Sequence, residues 1–159
     1  MSQLGARSAA EAVLSTPSAQ SETAHDWLAA LEDVSLFEGL SKRHLRRIAK
    51  LARIRRFASG SILVRSGDPG RSFFVLLDGT AKVVRGGGRS RRLGMGDYFG
   101  EMALIDGAPR SADVVAEGEV LALTIDRGGF TKLLGAEPTL AQALLRTLAA
   151  RLRAAETSI

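Results

Sequence analysis

The residues with most chemical potential lie close together. In "FGEMALIDGAPRSADVV", residues 99–115, Gly100 and Glu101 lead into a short apolar turn, and Pro109, Arg110 and Ser111 follow. Gly100 allows close approach of a backbone. Glu101, Met102, Ala103 and Leu104 are good helix formers, and the first N–H groups of a helix beginning there lack internal partners. Such a start attracts anions. Arg110 offers a planar fork suited to a phosphate, and Ser111 adds a hydroxyl and an amide. Glu101, acceptor-only when ionised, suits a sugar hydroxyl. Two readings stay open from these residues alone: a Glu101–Arg110 salt bridge capping the fold, or a grip on one small ligand with an anionic phosphate and a hydroxyl on the same side.

The elements on either side must hold this stretch in place. Upstream, residues 53–100 change period from helical to short β-type runs broken by glycine. Ile62–Leu63–Val64 is one run and Phe73 to Leu77 the next, with Ala81 and Val83 alternating with polar neighbours. "SGDPG" and "LDGT" read as turns and "RGGGRS" as a hairpin tip. Downstream, "ADVVA" and "EVLALTID" read as two strands flanking a turn at Gly118. Strands spaced about ten residues apart indicate a small sandwich, barrel or roll.

Helices are expected on both sides. Trp27, Leu28, Leu31 and Val34 have helical spacing with Asp26 as N-cap. Gly39 breaks, Ser41 caps a second helix, and Leu45, Ile48 and Leu51 form its apolar stripe. After the strands, Asp126 caps a helix whose apolar face is Phe130, Leu133 and Leu134. Pro138 opens the last helix. There Ala141, Leu145, Leu148, Leu152 and Ala155 form a heptad-like seam that could cover a site, dock on the roll or pair with a second copy. Residues 1–24, rich in Ala and Ser, read as a mobile tail.

Composition narrows the function. The chain has 159 residues, 45% of them hydrophobic, enough for one domain with a real core. It has no cysteine, which excludes disulfides, thiolate catalysis and Cys-ligated zinc, and fits a reducing cytoplasm. The two histidines, His25 and His44, lie in unlike segments, so no metal site and no Ser-His-Asp hydrolase is expected. No base–nucleophile pair or second carboxylate accompanies Glu101, so an enzyme is not expected. No Gly-Lys-Ser/Thr follows a glycine cluster, so a Walker-type loop is excluded. No apolar run is long enough to span a membrane. The net charge of +5 is uneven. Residues 42–56 carry eight Lys or Arg and no acid. That face is either solvated or a contact for an anionic partner. No helix-turn-helix, zinc-finger spacing or aromatic interleaving supports nucleic acid.

The stretch "FGEMALIDGAPRSADVVA" resembles the phosphate-binding cassette of the cyclic nucleotide-binding domain, found in catabolite-activator-type regulators, cyclic-nucleotide-dependent kinases and cyclic-nucleotide-gated channels. The resemblance runs from about Trp27 to Ala155, including the glycine-punctuated "GSILVRSGDPGRSFFVLLDGTAKVV". It implies a mainly β fold with flanking helices: a double-stranded β-helix-like, jelly-roll-like β-roll of eight strands, with N-terminal helices over 25–52, the roll over 53–125 with its cassette at 99–111, and two C-terminal helices over 126–157, the last acting as a lid. It implies that Arg110 pairs with the cyclic phosphate, that Glu101 accepts from the ribose 2′-hydroxyl, and that the amides of Ala103 and Ser111 donate to phosphate oxygens. Gly100, Met102 and Leu104 complete the ligand-binding turn. Cyclic AMP is the first expected ligand and cyclic GMP the second. Ser111 gives a modest lean to the former.

The chain departs from the family's pattern at the lid. Residues 151–157 offer the base no aromatic, leaving Arg151, Ala155 and Thr157 as candidates, with Arg151 able to fold toward Glu101 or the phosphate. The sequence ends at Ile159 with no output domain, as a free-standing sensor or a fragment would. The expected partners are a cyclic nucleotide and a protein effector, with a homodimer contact along the last helix as a further expectation. The competing expectation is a roll that has lost its ligand and uses its basic 42–56 face for protein or nucleic-acid contacts.

Overall fold

The structure is a computed structural model, described over residues 28–157; the 1–24 tail, His25, Asp26 and Trp27 lie outside the described residues. Helix α1 covers 28–32, and a 3₁₀ turn, Ser35–Phe37, follows. Leu31 and Val34 are both fully buried, but Val34 sits in extended backbone at the start of the 3₁₀ turn and not in the helix. Helix α2 (Lys42–Leu51) begins where expected: the Ser41 side chain accepts from the His44 amide, and Leu45 and Ile48 are buried beneath the basic face.

Six strands form one antiparallel sheet: β1 (Ala52–Phe57), β2 (Ile62–Val64), β3 (Ser72–Val84), β4 (Ser90–Leu93), β5 (Tyr98–Phe99) and β6 (Asp113–Asp126). The order is β1-β6-β3-β4, with β2 also on β6 and β5 also on β3. Neither "LDGT" nor Gly118 is a turn between strands. β3 runs through Gly79 and β6 through Gly118 without interruption. The register between them slips on both sides of Asp78, the signature of a bulge. Gly79 has φ 89°, and a Cβ there would stand 2.3 Å from the Glu119 carbonyl oxygen. Against the eight strands expected, six are present among the described residues, because the two segments on either side of Gly79, and of Gly118, each form one continuous strand.

The run "FFVLL" is apolar throughout because both faces of β3 are covered. Phe73, Val75 and Leu77 point into a core shared with the helices. Phe74 and Leu76 point into the roll with Val83, Phe99 and Val114. "RGGGRS" closes the β3–β4 hairpin, the Arg85 amide donating to the Arg89 carbonyl. Helix α3 (Glu101–Asp106) lies between β5 and β6. Helix α4 (Arg127–Ala136) is capped by Asp126, which accepts from the Gly129 amide at 2.7 Å, and it buries Phe130 and Leu133. Helix α5 starts at Pro138 and ends at Thr157. Its buried residues are Leu140 and Leu144. The predicted seam lies to one side of them: Leu145 and Leu152 are exposed. Among the described residues no helix is long and apolar enough to cross a membrane.

Candidate functional site

The cassette is built by backbone geometry first. Gly100 joins β5 to α3 in the left-handed region, φ 94°. A Cβ there would lie 2.8 Å from both Arg110 Nη1 and the Ser72 carbonyl oxygen. Gly107 ends α3, also left-handed, its amide donating to the Ala103 carbonyl; Asp106 Oδ1 accepts from the Ala108 amide. The "SGDPG" loop then clamps Arg110. Its amide donates to the Asp68 carbonyl at 2.8 Å, and its carbonyl accepts from Gly67 at 2.9 Å. Gly70 lets that loop touch α3, for a Cβ on Gly70 would fall 2.5 Å from the Ala103 Cβ.

The charged groups are held inside this frame. Arg110 is only 8% exposed. It donates from Nη1 to the Gly100 carbonyl at 2.8 Å and from Nη2 to the Ser72 carbonyl at 2.6 Å. Burial pulls its pKa below the usual arginine value; Glu101 opposes that and Arg127 adds to it. Glu101 is 2% exposed, and its ion pair is not with Arg110. Arg151 Nη1 reaches down from α5 to Glu101 Oε1 at 2.6 Å, and the Arg151 guanidinium lies 5.6 Å from the centre of the Tyr98 ring. The salt-bridge reading of Glu101 and Arg110 is thereby replaced. A buried carboxylate meets a cation from α5, and the buried Arg110 guanidinium donates to two backbone carbonyls.

Both groups line a cavity of about 150 Å³. Of the residues singled out from sequence, Gly100, Glu101, Met102, Ala103, Arg110, Ser111 and Arg151 line it. Leu104 does not; it packs toward the core between helices and sheet. Ala155 and Thr157 are not among the lining residues either, and the Thr157 hydroxyl donates back to the carbonyls of its own helix. Of the last two turns of α5, Arg151 is the residue that lines the cavity. The sequence reading missed Val64, Val83, Arg85, Arg91, Tyr98 and Val114, the inner wall of the roll. The alternation around Val83 was the available signal, since Arg85 lies two residues on, just past the end of β3, and Arg91 is directly opposite Val83 on β4. Arg127 was missed too; its Nη2 donates to the Gly70 carbonyl at 2.6 Å and braces the clamp loop.

The basic 42–56 face is interrupted by acids from elsewhere in the chain. Arg47 and His44 lie within ion-pair distance of Glu137, and Arg56 pairs with Glu119. Among the described residues no cluster of His, Cys, Asp and Glu is spaced to hold a metal ion.

The class defined is an antiparallel roll whose glycine-led turn sets a buried arginine and a buried glutamate at one cavity. The family model described as "Cyclic nucleotide-binding domain" matches residues 54–137, and the chain belongs to that family. The cAMP-dependent protein kinase regulatory subunit of Hypocrea atroviridis is 35% identical over 105 residues, covering 66% of this chain and 23% of the relative. The regulatory domain of Toxoplasma gondii PKA, solved with cAMP, superposes with a TM-score of 0.72 at 27% identity, covering 82% of this chain and 51% of that one. The Thermus thermophilus catabolite activator protein gives a TM-score of 0.72 at 31% identity, covering 77% and 60%. The chain thus spans about a quarter of the length of the curated relative.

Proposed function

We propose that this chain is a sensor for a cyclic purine mononucleotide, cyclic AMP in the first instance, that signals through movement of α5. The observation that carries this is Arg110: a buried guanidinium at a cavity wall, compensated by two backbone carbonyls and no direct carboxylate. A cyclic phosphate supplies the missing anion. Glu101 takes the ribose 2′-hydroxyl, the amides of Ala103 and Ser111 meet phosphate oxygens, and Gly100 and Met102 shape the approach. Leu104 holds the turn to the core. The names of the relatives, cAMP-dependent kinase regulatory subunits and a domain solved with cAMP, support cyclic AMP.

The lid works through Arg151. The cavity of about 150 Å³ is smaller than the ~300 Å³ at which drug-sized sites begin. Seating a nucleotide requires the Arg151–Glu101 contact to rearrange, which moves the end of α5. A ligand shifts these two arrangements by its differential affinity for them. A protein effector that reads the position of α5 completes the signal.

One observation favours cyclic GMP as a second reading. Arg85 and Arg91 place donor-only groups at the cavity wall beyond Val83. Guanine offers O6 and N7 as paired acceptors, whereas adenine presents a donor at the corresponding edge. Calorimetric titration with both nucleotides tests the proposal. A Kd below about 100 μM for one of them is expected; no heat with either at millimolar ligand overturns it. Arg91→Ala weakens cyclic GMP and spares cyclic AMP if guanine is read there.

A further inference from the structure

A second cavity lies on the other side of Arg110. It is larger than the first, about 470 Å³ against about 150 Å³, and the two share Arg110 and Val64 as wall. Its volume falls within the range of small-molecule sites. Arg55 from β1, Arg65 just past β2 and Arg71 just before β3 stand around it, with Asp68 the one acid among its lining residues. None of these three arginines has a carboxylate partner among the described residues, unlike Arg47, Arg56, Arg92 and Arg151. Leu63 and Phe74 add an apolar strip that continues the core of the roll.

We propose that this outer cavity binds a polyphosphate anion. Three arginines without a carboxylate partner around one cavity, Arg55 with its guanidinium 5.1 Å from the Phe57 ring centre and Arg65 and Arg71 on the loop between β2 and β3, match a chain of phosphates better than one. Arg110 has a further consequence, which rests on the cyclic-nucleotide reading of the inner cavity. One buried cation would then serve anions on both sides, and the two anions repel each other across it. The two ligands therefore oppose one another, reciprocally.

The polyphosphate chemistry has two sources, a nucleoside triphosphate and an inorganic chain. Titrating the full chain with ATP and with tripolyphosphate, magnesium-free, separates them. Binding of one or both with a Kd below about 1 mM is expected. ATP binding more tightly than tripolyphosphate assigns the base to the Leu63–Phe74 strip; equal affinity assigns the site to the phosphate chain alone. The Arg65→Ala/Arg71→Ala double variant, which adds no negative charge beside Arg110, should weaken this binding at least about tenfold, and its cyclic-nucleotide affinity without polyanion is the baseline for the coupling. Saturating tripolyphosphate should raise the Kd for the cyclic nucleotide several-fold in the parent and not in the double variant. No heat with either polyanion, or equal binding by parent and double variant, overturns the proposal. Cyclic-nucleotide binding in the same preparation shows whether the inner site stands regardless. Polyanion binding without any cyclic-nucleotide heat removes the inner-site reading and the coupling with it, while leaving the outer site in place.

Discussion

The 99–111 turn and α5 meet the same cavity but are held in opposite ways. Arg110 is fixed by two side-chain and two backbone hydrogen bonds, all to backbone partners, and packs on Gly100, where a Cβ would stand 2.8 Å from its Nη1. The far end of α5 reaches the site through Arg151, itself one-third exposed, while Leu152 beyond it faces outward. The turn at 99–111 is over-determined by its backbone contacts, whereas the end of α5 reaches the cavity through one side chain. On the proposed function, this division would let a ligand bind without reorganising the roll and still shift a helix.

The largest effect should come from removing the charge that the cassette is built around. Arg110→Ala deletes a charge-assisted contact worth ~2–3 kcal/mol. Cyclic-nucleotide affinity should fall roughly 30- to 150-fold in a calorimetric titration. Affinity equal to the parent's would show that the rigid side of the comparison is only structural.

The next effect tests whether rigidity itself matters. Gly70→Ala puts a methyl 2.5 Å from the Ala103 Cβ and 3.3 Å from its carbonyl carbon, neither on a flexible side chain. Overpacking of this kind costs about 1–3 kcal/mol. Both the denaturation midpoint and nucleotide affinity should drop, because α3 and the clamp loop cannot keep their spacing. A stable variant with unchanged affinity would show that the clamp is looser than its hydrogen bonds indicate.

Arg151→Gln probes the other side. Glu101 loses its charged partner but gains access to water through the space that Arg151 leaves, so the stability loss should stay near ~1 kcal/mol. Nucleotide affinity should change in the opposite sense to that of Arg110→Ala, rising a few-fold, since the ribose no longer competes with a guanidinium for Glu101. Reduced affinity would mean that Arg151 holds the ligand and does not hold its place.

Where the sequence was readable, one residue had one job. Ser41, Asp126 and Pro138 start helices whatever their surroundings, and the spacing from Gly100 to Arg110 holds within one local turn and loop. Gly79 and Gly118 were misread because a positive φ serves a turn and a bulge alike; only the partner strand decides which. Glu101 was visible as an acid, but its partner lies fifty residues away on α5. The partner is fixed by helix phase, which no local pattern reports. The wall residues Arg85 and Arg91 depend on strand register, and the second face of Arg110 is visible only once the "SGDPG" loop is folded against it.

The smallest effect concerns that helix phase. Leu140 and Leu144 are buried, while Leu145 and Leu152, one residue further round, are exposed at 66% and 61%. Both stripes are apolar, so periodicity alone could not choose between them. With the observed phase, Leu145→Gln combined with Leu152→Gln should change the folding stability by no more than ~0.5 kcal/mol per site in a denaturant titration. Leu144→Gln should cost several times more, because it buries an amide with no partner provided for it. If the two results were reversed, α5 would be rotated by one residue, Arg151 would leave Glu101, and the contrast between a fixed cassette and a loosely tethered lid would lose its structural basis.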